Sequence, residues 1–332
     1  MQASTPSLDR IARRVTLREL RLLLAVARCG SILQAAQDVG LTQPAVSKAI
    51  SDLEALLGAR LFDRGNRGVE PTPQGRVVLA RAAGMLEELR MAVDELAVLS
   101  GAAAGELRIG ATPAMCGGLL PHVIGTLPQG TGPGSTRAGV RYQVAEMEAE
   151  KIAGGLRDRT LDCGVGRAPQ ADADLDFEPL FTDRLFVVAG AGHALARRRS
   201  VSAGEAARQR WLLPPAQSAV SRQVHAAFTQ LGTHLEPPAI NTMSILMRCE
   251  LLDSGDYLTV LHGSLLRFGR VAERLRVLPI DLPAELPIGV LRMKNRTLTP
   301  LAERFIAHLR ESSAKLNALS AAQLRRRRPA PA

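Results

Sequence analysis

Residues 41–57, LTQPAVSKAISDLEALL, read as a helix whose two faces carry different chemistry. Val46, Ile50, Leu53 and Leu57 recur at helical spacing and form a stripe that needs a core, while Gln43, Ser47, Lys48 and Ser51 gather on the opposite side near the N-terminal end. Thr42 stands at the N-cap position, and Pro44 falls in the first turn, where its missing N–H does no harm. Short polar and basic side chains near the start of a solvent-facing helix suit the edges of bases in a DNA groove.

A groove-reading helix needs a neighbour to hold it against the phosphate backbone, and the preceding residues supply one. Ser31 can cap a helix in which Ile32, Ala35, Ala36 and Val39 form the apolar stripe, and Gly40 supplies the left-handed residue that ends it. The two alanines allow close approach of another helix. An amphipathic run over 16–28, with Leu17, Leu20, Leu24 and Ala27 inward, completes the layout of a helix-turn-helix. After Gly58, the segment ARLFDRGNRGVEPTPQG sets Leu61 and Phe62 before a Gly-Asn-Arg-Gly turn carrying Arg64 and Arg67, which suits a β-hairpin wing.

The stretches LRELRLLLAVARCGSILQAA and LTQPAVSKAISDLEALLGARLFDR, with the closing TPQG, resemble the LysR-type transcriptional regulators densely over 17–75. The resemblance implies a winged helix-turn-helix with Gln43, Ser47 and Lys48 near bases or adjacent phosphates, and with Thr42, Arg64 and Arg67 on the DNA backbone. Ser31, Pro44, Ser51 and Thr72 complete the expected DNA-facing set. Gln suits bidentate contact with adenine, Ser is permissive, and Lys meets guanine or phosphate.

From Thr72 the chain changes character: Thr72 as cap and Pro73 at the first helical position open a long helix towards Ser100. Val78, Ala82, Met85, Leu89, Ala92, Leu96 and Leu99 alternate at four- and three-residue steps, an unbroken heptad seam. Such a seam suits a partner helix and hence a dimer; packing on the helix's own domain is the alternative.

Beyond the small-residue segment SGAAAGE, strands and helices alternate. ELRIGATP reads as a strand entering a helix at Pro113; VRYQVAEM, LDCGVGR, DRLFVVAG, YLTVL, LRVLPI and IGVLRM read as strands, with helices around 148–159, 219–231, 245–253 and 299–319, an α/β pattern. The looser resemblance here implies a two-lobed periplasmic-binding-protein-like (type 2) effector domain. Lobe I is expected over 106–167 and 274–320, and lobe II over 168–273. The segment NTMSILMRCELLDSGDYLTVL resembles the subgroup that includes regulators of sugar-binding-protein and aromatic-acid catabolic genes.

Ligands of such folds sit between lobes, at helix N-termini and strand ends. Thr112 before Pro113 can offer its hydroxyl and nearby N–H groups to an anion, or serve as a plain N-cap. Thr242 and Ser244 open a helix of the other lobe and are expected to face the same ligand. Arg167 can pair with a ligand carboxylate or form a structural ion pair, and Gly166 allows close approach.

Five segments follow: an N-terminal extension (1–14), the DNA-binding domain (15–73), the linker helix and hinge (74–104), the effector domain (105–320) and a disordered Arg-rich tail (321–332). The net charge of +10 does not by itself mark a DNA domain, because residues 1–100 hold 13 Lys and Arg against 11 Asp and Glu. Local placement of Arg and Lys does. Cys29, Cys116, Cys163 and Cys249 are scattered without metal-ligand spacing and read as small apolar residues in a reducing compartment, with a thiol sensor as the alternative. The six histidines also lack ligand spacing, so neither metal nor cofactor is assigned. The GTGPGS run at 130–135 lacks the Lys-Ser/Thr of a phosphate loop and reads as a surface loop. Arg18, Glu19, Arg21 and Arg28 break the first apolar run, which excludes an export signal there, and no stretch is apolar enough to span a membrane. A cytoplasmic location is expected.

The sequence thus points to a regulator that performs no chemistry, binds a partly symmetric operator in double-stranded DNA and answers to a small-molecule effector, an organic acid or sugar. A homodimer assembling to a homotetramer and contact with RNA polymerase are expected from the resemblance. A constitutive architectural DNA-binding protein and an enzyme domain fused to a helix-turn-helix remain as alternatives. No Ser/His/Asp constellation or nucleotide loop supports the enzyme.

Overall fold

Helix α1 (Leu17–Cys29) is held at its start by a capping box: Glu19 N–H donates to Thr16 Oγ1 (3.3 Å) while Thr16 N–H donates to Glu19 Oε2 (2.7 Å). Ser31 caps α2 (Ile32–Asp38), and the left-handed Gly40 turns the chain into α3 (Gln43–Leu57). Ala35 and Ala36 are buried where these helices meet, as their small side chains allow. The core of this unit joins Leu20, Leu23 and Val26 of α1 to Val46, Ile50 and Leu53 of α3, with Leu61 and Phe62 from the wing. Each such buried side chain contributes roughly 1.5–3 kcal/mol. Leu17, expected inward, is 46% exposed, whereas Leu22 and Leu23 of the same helix are buried. The wing is an antiparallel pair, β1 (Phe62–Gly65) and β2 (Gly68–Pro71), in the register Phe62↔Pro71. It leads into the long helix α4 (Pro73–Leu99).

The computed structural model describes residue 11 and residues 13–65, 68–99, 105–127, 140–168, 172–269 and 273–314. Arg67, the hinge residues 100–104, the 130–135 loop, the tail and most of the expected N-terminal extension lie outside these. The chain divides into two units, Met1–Ala102 and Ala103–Ala332.

The second unit begins with β3 (Gly105–Ala111), α5 (Pro113–Gly117), α6 (Leu119–Thr126), β4 (Val140–Glu146), α7 (Ala149–Arg157) and β5 (Cys163–Arg167). The 16-residue β6 (Leu175–Gly190) follows, then α8 (Ala203–Ala207), β7 (Arg210–Leu213), α9 (Ala219–Gln230), β8 (Ile240–Asn241) and α10 (Ile245–Leu252). The chain continues through β9 (Tyr257–His262), α11 (Gly263–Phe268), β10 (Leu275–Val277), β11 (Glu285–Met293) and α12 (Pro300–Ala314).

The sheet runs β4-β3-β5-β11-β6-β9-β7-β8. Strands β3, β4 and β5 are parallel, whereas β11 lies antiparallel between β5 and the first half of β6. The second half of β6, from Leu185, pairs with β9, and β10 pairs with its last three residues. One strand therefore belongs to both lobes and crosses between them near Asp183–Leu185. The return crossing is the segment 278–284, tied by Leu278 N–H to Val187 O (2.9 Å) and Leu185 N–H to Ala284 O (3.1 Å). This differs from the expected lobe boundaries: residues 175–182 pair within lobe I, not lobe II, and 275–277 pair within lobe II, not lobe I. The reason is ladder hydrogen bonding: β6 stays one continuous strand across the lobe boundary, and β10 pairs with its far end. The single tryptophan anchors the lobe II core, with Trp211 Nε1–H donating to Ala206 O (2.9 Å) and its ring set edge-on to Phe228 at 5.4 Å.

Candidate functional site

On the first unit, α3 turns Gln43, Pro44, Lys48 and Ser51 to solvent with Thr42 at its start, and Ser47 is half-buried among them. Thr42 Oγ1 caps no backbone N–H, which leaves this end of the helix open. The wing is locked to the same helix. Glu54 Oε1 accepts from Leu61 N–H (2.7 Å) and Phe62 N–H (3.1 Å), and Arg64 Nη1 donates to Ser47 Oγ (3.3 Å). The sequence thus brings Gln43, Ser47, Lys48 and Arg64 to one surface. Ser31 is half-buried, its Oγ accepting from Gln34 N–H (3.4 Å). Thr72 departs from the expected DNA-facing role: it is 6% exposed, donating to Arg60 O (2.7 Å) and accepting from Gly75 N–H (2.9 Å). Its hydroxyl ties the wing to α4 and is fully used there.

The seam along α4 divides. Val78 and Ala82 pack into the first unit's own core, Ala82 at 1% exposure, because α1 and β2 cover the first turns of the helix. These two are not free for a partner helix. Met85, Leu89 and Leu96 are 58%, 48% and 63% exposed, and Ala92 lies exposed between them with Val93. The Leu99 side chain lies outside the described residues.

Within the second unit a cavity of about 370 Å³ lies between the lobes. From lobe I, Thr112 and Pro113 reach it at the start of α5, Glu148 and Glu150 at the start of α7, Arg167 at the end of β5, and Leu286 and Ile288 on β11. From lobe II come Gln217, Ser218, Val220 and Arg222 around the start of α9, Met243, Ile245 and Arg248 at α10, and Leu261 and His262 at the end of β9. Of the six expected effector residues, Thr112, Pro113 and Arg167 line this cavity.

The other three expected effector residues do not line the cavity. A Cβ on the buried Gly166 would sit 2.7 Å from Thr112 Cγ2, so this glycine seats the threonine rather than a ligand. Thr242 Oγ1 accepts from Ser244 N–H (3.2 Å) and Ser244 Oγ from Met247 N–H (3.1 Å), so both hydroxyl oxygens serve the start of α10. Arg167 is paired with Glu150. Burial works to raise the Glu150 carboxyl, but the Arg167 hydrogen bond and the charges of Arg167 and Arg222 outweigh it and hold the group below its ordinary value.

Arg248 and His262 escaped the sequence reading. The signal for Arg248 was present, since it shares a helical stripe with Ile245, Cys249 and Leu252 and so had to be buried. Among the described residues no cluster of His, Cys, Asp and Glu could hold a metal ion, and no helix is long and apolar enough to cross a membrane.

A winged helix-turn-helix joined to a two-lobed domain with a cleft between its lobes defines a DNA-binding regulator with an effector domain. Residues 17–76 match the model of the bacterial regulatory helix-turn-helix protein, lysR family, and residues 100–314 match that of the LysR substrate binding domain. The chain belongs to the LysR family of transcriptional regulators. The SDS degradation transcriptional activation protein of Pseudomonas sp. (strain ATCC 19151) is 31% identical over 295 residues, 86% of this chain and 93% of that one. The HTH-type transcriptional regulator GbpR of Azospirillum brasilense is 29% identical over 304 residues, 90% of this chain and 87% of that one. Full-length CbnR complexed with its target DNA shares the fold, with a TM-score of 0.61 at 19% identity over 90% of this chain and 100% of that one.

Proposed function

We propose that this regulator reads a partly symmetric operator with Gln43, Ser47 and Lys48, while Thr42, Arg64 and Arg67 hold the DNA backbone. The observation that carries this reading is the α3 surface, where Gln43, Lys48 and Ser51 lie exposed beside Ser47 and a wing arginine bonded to it. The exposed stripe of Met85, Leu89, Ala92 and Leu96 supports a homodimer, which assembles to a homotetramer as recognition helices pair across operator half-sites. The protein works in the cytoplasm. A small organic molecule settles in the inter-lobe cleft, favours one arrangement of the lobes, and so alters how the bound oligomer bends DNA and meets RNA polymerase. Such coupling requires the ligand to bind the two arrangements with different affinity.

Fluorescence anisotropy on the DNA upstream of the protein's own gene tests the reading. Gln43→Ala is expected to weaken specific binding by roughly 5- to 150-fold, the span of one bidentate base contact, and to leave binding to unrelated DNA unchanged. Equal loss on both DNAs would contradict base reading by this helix.

A further inference from the structure

The cleft contains a charge that the described residues do not balance. Arg248 is 4% exposed, and its Nη1 donates to two neutral acceptors, Thr259 Oγ1 and Val260 O, both at 3.0 Å. Thr259 Oγ1 in turn donates to Leu212 O (2.6 Å), so the guanidinium is fixed by the sheet of lobe II. Its Nε is buried without any partner, and no carboxylate pairs with it among the described residues. Burial pushes its pKa down to about 10, which still leaves it charged near neutrality. A buried cation without a counter-ion is unfavourable unless something binds there.

The surroundings narrow what that something is. Arg222 lines the same cavity, as do Gln217, Ser218 and Ala219 at the N-terminus of the 12-residue α9, where a helix carries partial positive charge. His262 also lines it; its Nδ1 lies 3.4 Å from Asp183 Oδ2 but out of hydrogen-bonding alignment, and is otherwise without a partner. Met243, Ile245, Leu261, Leu286 and Ile288 make the rest of the wall largely apolar. Glu148 and Glu150 lie on the lobe I side, and Glu150 is already neutralised by Arg167. A sugar would leave Arg248 uncompensated and place its hydroxyls against aliphatic side chains, at the cost of unmade hydrogen bonds.

We infer that the ligand of this cleft is an organic carboxylate with a compact apolar body, its carboxylate received by Arg248 on the lobe II side. The inference rests on the reading of the cleft as an effector site and adds the chemical class of the effector and the residue that selects it. Arg248 offers the planar fork that matches a carboxylate, and the apolar wall accounts for an organic acid rather than inorganic phosphate.

The test uses the full-length protein and its single tryptophan, Trp211, which adjoins Leu212 in the Arg248 network. Acetate, benzoate and succinate are each titrated at constant ionic strength against acetamide, benzamide and succinamide, with inorganic phosphate, glucose and galactose alongside, following fluorescence and thermal unfolding. At least one carboxylate is expected to bind at least tenfold more tightly than its amide and to raise Tm; Arg248→Met is expected to lose that preference. Arg248→Lys, which keeps the charge without the fork, is expected to bind the carboxylate more weakly but still above the amide, and it serves if the methionine variant does not fold. Equal response to acid and amide, no carboxylate response, a stronger response to phosphate, or an unaltered preference in the variants would overturn the inference. A sugar response shared by wild type and Arg248→Met would overturn it while leaving the effector cleft standing. Silence towards every compound by a protein that still binds its operator would remove both.

Discussion

Glu54 is the residue on which the geometry of the DNA-facing surface depends, and Glu54→Ala isolates its contribution. One carboxylate oxygen accepts both Leu61 N–H and Phe62 N–H, at the point where the chain leaves α3 for the wing. The two residues it holds are 0% and 1% exposed, so the freed N–H groups have little access to replacement water. An unsatisfied buried backbone donor costs about 1–3 kcal/mol, and partial rehydration brings the two together to roughly 2–4 kcal/mol. Glu54→Gln retains an oxygen acceptor without the charge and should cost only about 1–2 kcal/mol. Amide hydrogen exchange reads the effect locally, which suits a chain of two units better than a single unfolding midpoint. Protection of Leu61 and Phe62 should fall by the corresponding factor in Glu54→Ala, and operator affinity should fall with it, since Arg64 would lose its fixed position against Ser47. Unchanged protection at both amides would refute the reasoning, whatever happened to DNA binding.

Replacing Met85 and Leu89 together by Asp should leave the fold intact, because both are about half exposed or more, and should convert the dimer to a monomer in sedimentation equilibrium; an unchanged mass would place the interface elsewhere. Burial raises the thiol pKa of Cys116 and Cys249 to about 11 and that of Cys163 further, so none of the three should react with a disulfide reagent at pH 8 while folded; rapid labelling of any of them would revive thiol sensing. Burial also holds His193 below its ordinary 6.5, against the pull of Asp256. Its neutral ring accepts from Leu195 N–H (3.1 Å), so its stabilising contribution is complete above pH 6.5 and is lost as pH falls through the lowered value. His193→Gln should flatten that limb of a stability profile followed by Trp211 fluorescence, and an identical limb would exclude the histidine as its source.

The helix-turn-helix was legible because local rules agree there: the Ser31 cap, the left-handed Gly40 and apolar stripes at helical spacing all point to one layout. Periodicity could not say what covers a stripe. Val78 and Ala82 continue the seam of Met85 and Leu89 in sequence, yet α1 and β2 cover the former pair and leave the latter open. The first half of β6 escaped notice because Pro179 and the polar residues of LDFEPLFT mask strand periodicity, and its order comes from pairing with β11, a hundred residues away. The cleft was legible by its helix starts but not by its chemistry. Ser244 looked like a ligand group and is the N-cap of α10, with Thr242 holding the turn before it, whereas Arg248 lies on a stripe that marked it for burial but not for the cleft wall, because what faces a buried charge is set by contacts from distant strands.

Footprinting of the full-length protein on the DNA flanking its own gene, beside a Ser47→Ala, Lys48→Ala variant, is the most direct test of regulation through sequence-specific DNA recognition by α3. A discrete protected site with two half-sites about one helical turn apart or a multiple of it, lost in the variant, is the predicted result. Protection without sequence preference, fading with salt alike for both proteins, would contradict the account.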